Sequence, residues 1–496
     1  MSYPNDCWLI RCDHVGQVIT IDVLPDDVLL TIFDFYVVRY QDLDLDEVTF
    51  SGEDTKKRID SWQSLVHVCR RWRGLVFASP RRLDLQLYYD STRSTRRTLD
   101  VWPALPLLIK NDIFGTSADT MDNLIAELEH SDRIRQITLC LDAWQIEKFW
   151  TAMQVPFPEL DSLYLSYGGV SFTPVLPDSF LGGSAPHLRF LALTWISFPG
   201  LPKLLSSATH LVHLWLVNLP HSGYISPVAM ATYLSMLTSL EEFQLELASL
   251  QSPPDLEHRP SPPPTRSILP ALMTFRYKGV NEYLEELVAR IDTPRLSQLS
   301  AVFFNDIDFE TPELIRFVSR SSTFKASNKA KVSFGCQFAL VKLQPQGSNV
   351  QYFEVGILCR ERDWQLSSLA QICTTSLSLL SMTENLFIYE SLNSQLDWKD
   401  DVQNFEWLGF LHPFTAVKNL YISKQVAPRI APALQEMTGG GTIEMLTTLQ
   451  NLYLEGFRPS ESVEEGIERF ISARQLTNRP VAISVWERDL TDVFNW

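Results

Sequence analysis

The segment LVHLWL, residues 211–216, carries apolar side chains at its first, fourth and sixth positions. The same pattern recurs in ten segments, three of them weaker, at 134–139, 160–165, 188–193, 211–216, 240–245, 272–277, 296–301, 383–388, 417–422 and 449–454. From residue 160 to residue 296, successive copies begin 23 to 32 residues apart. A strand and a returning connection at this period are typical of a leucine-rich solenoid, in which each unit covers its neighbour. We therefore predict an α/β fold with a leucine-rich-repeat-like solenoid over residues 81–496.

The composition restricts the classes of function. The 496 residues are 45% hydrophobic and 11% aromatic, which excludes a wholly disordered chain. The net charge of −17 argues against non-specific binding to nucleic acid or to anionic membranes. No signal peptide and no run approaching 18 apolar residues is present, so we predict no secretion signal and no membrane span. The seven cysteines are scattered without a CxxC, which favours reduced thiols in the cytoplasm, the nucleus or both.

Two stretches interrupt the repeat pattern. The proline-rich residues 252–266 predict a surface loop, with a polyproline ligand for a partner domain as the alternative. Between residues 305 and 380 the regular pattern fails, and VSFGCQF and FEVGILCR predict β-hairpin strands. We expect an irregular insertion or degenerate repeats there. After the last copy, residues 462–476 predict a helix and residues 481–487 predict a strand.

Residues 20–80 have a different pattern, with two amphipathic helices and an acidic insertion at 41–58. The first helix is predicted to begin at Pro25, because proline suits the first helical position. Its apolar face comprises Val28, Leu29, Ile32, Phe33 and Tyr36. The second is predicted as one helix over residues 61–77, and its stripe comprises Trp62, Leu65, Cys69, Trp72 and Val76.

These helices resemble an F-box. The match lies in LPDDVLLTIF (24–33) and SLVHVCRRWRGL (64–75), which follow the family pattern of Leu-Pro, an acid, an apolar helix and Leu-x-x-Val-Cys-x-x-Trp-x-x-Leu. ARQLTNRPVAISVWER (473–488) is similar to the terminal segment of F-box-like proteins that are abundant in mushroom-forming fungi. The chain departs from the family in the length of the segment between the two helices.

The resemblance implies a non-catalytic substrate-recognition subunit of an SCF-type cullin–RING ubiquitin ligase. Its helices would bind a Skp-type adaptor, and through it cullin and RING subunits, while its repeats would bind an unknown client protein. The implied adaptor-binding residues are Leu24, Pro25, Val28, Leu29, Ile32, Phe33, Leu65, Val68, Cys69, Trp72 and Leu75. The alternative is an interaction scaffold, not engaged in ubiquitination, in which these side chains serve the fold. For Val66 and Val76 we prefer that structural role.

Strand geometry predicts a client-binding face. Alternate residues of a strand share a face, so the residue between the last two apolar positions of each copy points away from the core. Read along nine copies, this position gives Tyr164, Ala192, Trp215, Gln244, Arg276, Ser300, Phe387, Tyr421 and Tyr453. Large aromatic side chains are frequent binding hot spots, and five of the nine are aromatic. We predict that all but Ala192 and Ser300 bind the client. The alternatives are that aromatic residues simply favour strands, and that a loop or terminal tail covers them.

Motifs for catalysis are missing from the sequence. It contains no phosphate-binding glycine motif, no GxSxG and no complete zinc-ligand spacing. We therefore predict no enzyme activity, no cofactor and no metal, although an unrecognised site within 305–380 stays a third hypothesis. The arginines between residues 70 and 97 form the one local basic segment. A solvated face is the preferred interpretation over contact with an acidic partner or RNA, so we predict neither nucleic acid nor membrane as a partner.

Overall fold

The structure is a computed structural model of the chain. It describes residues 21–37, 62–89, 105–111, 118–169, 173–248, 265–304, 311–325, 327–345, 350–359, 362–376, 378–391, 404–437, 445–456 and 461–488. The predicted acidic insertion at 41–58 and all but the last two residues of the 252–266 loop lie outside the described residues.

The chain divides into two compact units, one of residues 1–171 and 179–188 and one of residues 172–178 and 189–496. The domain boundary predicted at residue 80 falls inside the first unit. One physical reason is the buried indole of Trp62, whose Nε1 donates a hydrogen bond to the carbonyl oxygen of Gln86 at 2.9 Å. This bond fastens the N-terminal helices to the segment that leads into the first strand.

The first unit contains five helices and four strands within its described residues. The helices are α1 (Asp26–Tyr36), α2 (Trp62–Val66), α3 (Arg70–Ala78), α4 (Ala118–Leu128) and α5 (Ala143–Ala152). The strands are β1 (Leu87–Tyr89), β2 (Leu107–Asn111), β3 (Ile134–Leu141) and β4 (Ser162–Tyr167). Neighbouring strands pair in parallel in this order.

The second unit is built on a large, mainly parallel sheet. Its strands are β5 (Phe190–Thr194), β6 (His213–Leu219), β7 (Glu242–Leu247), β8 (Ser267–Ile268), β9 (Thr274–Gly279), β10 (Ile291–Asp292), β11 (Gln298–Phe304), β12 (Ser327–Phe334), β13 (Phe338–Pro345), β14 (Tyr352–Leu358), β15 (Asn385–Glu390), β16 (Asn419–Ile422), β17 (Asn451–Glu455) and β18 (Ala482–Trp486). The sheet order is β5-β6-β7-β9-β11-β14-β13-β12-β15-β16-β17-β18, while β8 and β10 form a separate pair.

The helices of the second unit mostly alternate with the strands. They are α6 (Leu201–Ser207), α7 (Pro227–Leu234), α8 (Asn281–Val288), α9 (Pro312–Arg320), α10 (Ser322–Lys325), α11 (Arg362–Ser376), α12 (Asn404–Leu411), α13 (Ala427–Glu436) and α14 (Glu461–Leu476). The last helix and strand lie close to the bounds that the sequence predicts for them. The chain is therefore a mixed α/β protein.

The repeated motif places the core. Each of its ten copies overlaps a strand, and in the copy at 211–216 the three apolar positions Leu211, Leu214 and Leu216 are fully buried. Main-chain bonds such as Val212 N–H to Arg189 carbonyl, 2.7 Å, join one copy to the next. Copies on adjacent strands of the same unit thus bury their apolar side chains side by side.

The irregular region lies inside the sheet. β12 and β13 form an antiparallel hairpin, and β13 pairs antiparallel with β14. β14 then pairs in parallel with β11, and β12 in parallel with β15. These three strands therefore continue the sheet between two copies of the regular motif.

The N-terminal helices differ from the prediction in two ways. The helix predicted over residues 61–77 is wrong as one continuous element, because it breaks between α2 and α3. Cys69 is extended there, with φ −155° and ψ 170°, and its Sγ accepts a hydrogen bond from the Trp72 N–H at 3.5 Å. α1 begins at Asp26, with Pro25 as the residue before its first turn. The cysteine thus caps α3, where the predicted stripe had placed it in mid-helix.

Candidate functional site

The first candidate surface is α1, which is apolar on two sides. Leu29, Leu30 and Phe33 are buried and form the side that packs inside the unit. The Phe33 ring lies 4.7 Å from the Trp72 ring, measured between centroids. Arg71 fixes the start of α1 by donating to the Leu24 carbonyl at 2.6 Å and pairing with Asp26. These contacts hold α1 against α3 with one side turned to solvent.

The solvent side carries a second set of apolar side chains. Val28, Ile32, Phe35 and Tyr36 are all exposed, and Phe35 is 88% exposed. Their spacing of four, three and one residues places them on one side of a helix. We call these four residues the α1 stripe. An apolar helix side of this kind fits the groove between two helices of another protein.

The predicted adaptor-binding residues fall into three groups. Leu29, Phe33 and Leu65 are buried. Leu24, Cys69, Trp72 and Leu75 are half-buried. Pro25, Val28, Ile32 and Val68 are exposed.

The burial of each motif residue determines whether it can contact a partner. The buried group packs within the unit and presents no surface to a partner, and Cys69 and Trp72 make the cap and ring contact already described. Val66 and Val76, for which a structural role was preferred, are also buried. Phe35 lies outside the family motif, so sequence matching missed it. The four-residue spacing of Val28 and Ile32, continued to Phe35 and Tyr36, is the signal that finds it.

The second candidate surface is the face of the large sheet opposite its buried leucines. One row of directly paired residues crosses all twelve strands of the second unit's sheet, and we call it the outer row. It comprises Ala192, Trp215, Gln244, Arg276, Ser300, Glu354, Lys342, Lys331, Phe387, Tyr421, Tyr453 and Ser484. The strand register therefore brings eight of the nine predicted positions into one line. Tyr164 lies in β4 of the first unit, opposite Thr138.

Stacked aromatic rings form one end of the outer row. Phe387 and Tyr421 stack at 4.1 Å between ring centroids, and Tyr421 and Tyr453 at 4.3 Å. Burial raises the pKa of the Tyr421 hydroxyl, and its hydrogen bond with Tyr453 raises it further. We call these three residues the aromatic ladder. All three are half-buried, so part of each ring reaches solvent.

An amide ladder runs beside the rings. The Nδ2 of Asn419 donates to Asn385 Oδ1, and the Nδ2 of Asn451 donates to Asn419 Oδ1, each at 2.8 Å. These residues occupy the first position of β15, β16 and β17 and are in register. The side-chain bonds thus fix the same register that stacks the rings.

The C-terminal strand reaches back over the aromatic ladder. Trp486 meets Phe387 and Tyr421 edge-on, with centroid distances of 6.0 and 5.6 Å. The Arg488 guanidinium lies 4.1 Å from the centre of the Tyr389 ring and donates to the Glu390 carbonyl at 2.8 Å. The alternative of cover by a terminal tail is therefore realised in part, by residues of the segment 473–488.

The middle of the outer row is ionic. Glu354 is 3% exposed, and its Oε1 accepts a hydrogen bond from the Ser300 hydroxyl at 2.9 Å. Burial raises the pKa of the Glu354 carboxyl, while Lys342, the Ser300 bond and Arg276 act in the opposite direction. Lys342 also lies 4.0 Å from the centre of the Tyr352 ring. Buried carboxylates need such partners, since desolvation of an unpaired charge is costly.

At the other end of the outer row, aromatic and charged side chains occur together. Trp215 is half-buried and meets Phe190 edge-on at 5.0 Å. Arg276 lies 3.4 Å from Glu242, which is also 3.4 Å from His213. Gln244 donates to Glu246 at 2.6 Å, and Glu246 pairs with Lys278. Of the client-binding residues predicted here, Trp215 has accessible surface, whereas Gln244 and Arg276 are engaged with neighbouring carboxylates.

Sequence matching missed the ionic residues Glu354, Lys342 and Lys331, because their strands lack the leucine motif. Alternation within β12 is the signal that was present: Ala330, Val332 and Phe334 are buried apolar positions. The lysines that alternate with them occupy the opposite face. Register across the antiparallel strands, which no local pattern specifies, is what places these residues in the outer row.

The described residues also bear on metal sites, membrane-spanning helices and disulfides. Among them, no three His, Cys, Asp or Glu side chains cluster as a metal site. None of the helices in that part of the chain is both long and apolar enough to cross a membrane. Within the same part of the chain, Cys69, Cys140, Cys336, Cys359 and Cys373 are not joined in disulfides.

The chain matches no protein-family model. No curated protein shows significant similarity to it. A functional assignment therefore rests on the two surfaces described above and on the N-terminal motif.

Proposed function

We propose that the chain is the substrate-recognition subunit of an SCF-type cullin–RING ubiquitin ligase. In this proposal the N-terminal helices are an F-box that binds a Skp-type adaptor, and the strands that follow form a leucine-rich-repeat-like solenoid that binds a client. The observation that carries it is the α1 stripe, because two of its four residues, Val28 and Ile32, belong to the F-box motif. A buried apolar side of α1 explains the fold, but a second, exposed apolar side is left uncovered by the described residues of the unit.

Contacts within the first unit support this role. α1 is held by Arg71 and by the Phe33–Trp72 ring contact, so the stripe is presented on a fixed helix. Binding to a preformed helix costs less conformational entropy than ordering one on contact. Val68, exposed at the break between α2 and α3, adds an apolar side chain from the second half of the motif.

Co-purification with a Skp-type adaptor tests the proposal. A Val28→Glu, Ile32→Glu double variant should lose the adaptor, since two charges would have to be buried in an apolar groove. The matched control is a Trp144→Glu, Val155→Glu double variant, which places the same two charges at exposed apolar residues of the same unit. The F-box assignment fails if the double variant still binds adaptor as well as the control does. Leu65 is unsuitable for this experiment, because a charge at that buried position would unfold the helices.

Client capture is tested separately. Affinity purification with quantitative mass spectrometry would compare the chain with Trp215→Ala and Tyr453→Ala variants. Each should weaken client binding by roughly 1–3 kcal/mol if the ring is a hot spot, with adaptor binding unchanged. Full client recovery with both variants would move the recognition surface away from the outer row.

The alternative function is an interaction scaffold outside the ubiquitin pathway. Burial of Leu29, Phe33 and Leu65 favours it, because these motif residues serve the fold itself. Under this alternative the unaltered chain captures its client and recovers neither adaptor nor cullin, which the same purification would reveal.

A further inference from the structure

The last strand of the large sheet has one open edge among the described residues. β18 pairs with β17 on one side and ends the strand order of the described sheet. Ala482 N–H bonds to the Gln450 carbonyl, and the Trp486 carbonyl accepts from Gly456 N–H. In a parallel ladder, alternate residues bond to the same neighbour. The N–H and C=O groups of Ile483 and Val485 therefore point to the open side.

The side chains of the same two residues are exposed. Ile483 and Val485 are in register with the buried Leu452 and Leu454 of β17. They are nevertheless 47% and 64% exposed, and Leu476, at the end of α14, is 89% exposed. Proteins usually protect an edge strand with charged residues, proline or a covering segment. Ala482–Trp486 contains neither charge nor proline, so this edge is suited to pairing with another strand.

We propose that β18 pairs antiparallel with β18 of a second copy of the chain, about a two-fold axis through Ser484. In this register Ile483 of one copy lies opposite Val485 of the other, twice by symmetry. Both pairs lie at main-chain groups that point outward, so four backbone hydrogen bonds form. Small Ala482 lies opposite large Trp486, and the two Ser484 residues face each other.

Charges beyond the strand fit the same register. Arg479 precedes β18 and Glu487 follows it, and both residues are exposed. The antiparallel register brings the end of one copy that carries Glu487 towards the end of the other copy that carries Arg479. Opposite charges that approach across two antiparallel strands contribute favourably. The symmetry repeats the pair at both ends. Apolar, steric and charge complementarity therefore all select one occupant, a second copy, and the inference does not depend on the proposed function.

Sedimentation velocity over a range of concentrations tests the dimer in the full chain. As the concentration rises, a growing fraction of the unaltered chain should sediment as a species of twice the mass of one chain. Val485→Pro should raise the dissociation constant at least tenfold, because it removes an outward N–H without touching the bonds to β17. Val485→Lys should do the same, and the control Ile268→Lys, an exposed apolar residue of β8, should not.

A cross-linking experiment keeps the result interpretable if the proline variant unfolds. Residues that face each other without exchanging hydrogen bonds have Cα atoms roughly 4.5 Å apart, which permits a disulfide. Ser484→Cys should therefore give a disulfide-linked dimer on mild oxidation, above the background of the unaltered chain with its own cysteines. A chain that stays monomeric at all concentrations, or a dimer that survives both Val485 variants, would overturn the proposal.

Discussion

The outer row has an aromatic part and an ionic part, and the side chains of the two parts are held by different interactions. In the aromatic ladder, Phe387, Tyr421 and Tyr453 satisfy one another by stacking, with Trp486 across their edges. In the ionic middle, Glu354 depends on Ser300, Lys342 and Arg276, three partners from three different strands. The ladder repeats one interaction between like units, whereas the middle is a network. Replacing one side chain should therefore lower the free energy of unfolding more in the ionic network than in the aromatic ladder.

The largest effect is expected at Glu354. Replacing it with leucine leaves the Ser300 hydroxyl and Lys342 without their carboxylate, and we expect the free energy of unfolding to fall by about 3 kcal/mol. Glu354→Gln retains an acceptor for Ser300 and should cost about 1 kcal/mol. Urea unfolding followed by circular dichroism measures both. Equal losses for the two variants would show that the charge has no part in the network.

A buried carboxyl without such a network provides the next test. Glu127, on α4, is 1% exposed, and its Oε2 has no hydrogen-bond partner among the described residues. Burial raises the pKa of Glu127 to about 7, and Arg133 only partly opposes the rise. The folded state then binds more protons than the unfolded state between pH 4.5 and about 7, so stability falls as the pH rises through that window.

Glu127→Gln should remove this fall. The variant should exceed the unaltered chain by about 3 kcal/mol above pH 7 and match it near the lower end of the window. Thermal unfolding across this pH range gives the comparison. A difference that does not vary with pH would mean that the carboxyl is not the titrating group.

Interrupting the ladder at its centre should have a smaller effect. Tyr421→Leu removes both stacked contacts but keeps an apolar side chain, and we expect a loss of about 1.5 kcal/mol. Tyr453→Leu removes one stacked contact and should lose about half as much. Urea unfolding of the two variants measures the ratio. A loss at Tyr421 as large as that of Glu354→Leu would contradict the distinction between ladder and network.

The smallest effect is expected in the amide ladder. Asn419 both donates to Asn385 and accepts from Asn451, so Asn419→Ala should cost about 1 kcal/mol. Asn451 makes one of these bonds, and Asn451→Ala should cost roughly half of that. The melting temperatures of the two variants show which of them loses more stability. Equal costs would indicate that water replaces the amide bonds.

The regular strands could be predicted from sequence because burial of one apolar set per copy of the motif fixes both the strand and its register. Leu214 and Leu420 are buried members of such sets, and alternation then determines which neighbouring residue points outward. That is why Trp215 and Tyr421 lie in one row as expected. β12, β13 and β14 also bury alternate apolar residues, but they lack the leucine motif, and their turns specify only local pairing. The position of Glu354 along the chain therefore gives no sign that it lies beside Ser300.

The helical site could be predicted only in part, for a related reason. A helix with apolar residues over more than half its circumference gives no sign of which side packs inward. Phe33 and Ile32 are adjacent in sequence, yet the first is buried and the second is exposed. The contact with Trp72 decides between them, and it exists because the chain breaks at Cys69 between two helices. Long-range packing, which the motif does not encode, thus selects the α1 stripe.

The reach of Arg488 back to Glu390 has a consequence for synthesis of the chain. The two residues are 98 positions apart, so β15 leaves the ribosome well before the residues that cover its rings. At about 5–20 residues per second, the interval is roughly 5–20 s. Throughout it, Phe387 lacks Trp486, as does Tyr421 once it has been made, and the nascent chain displays an apolar edge to the cell. The order of translation therefore makes this end of the sheet a part of the nascent chain that a chaperone would protect.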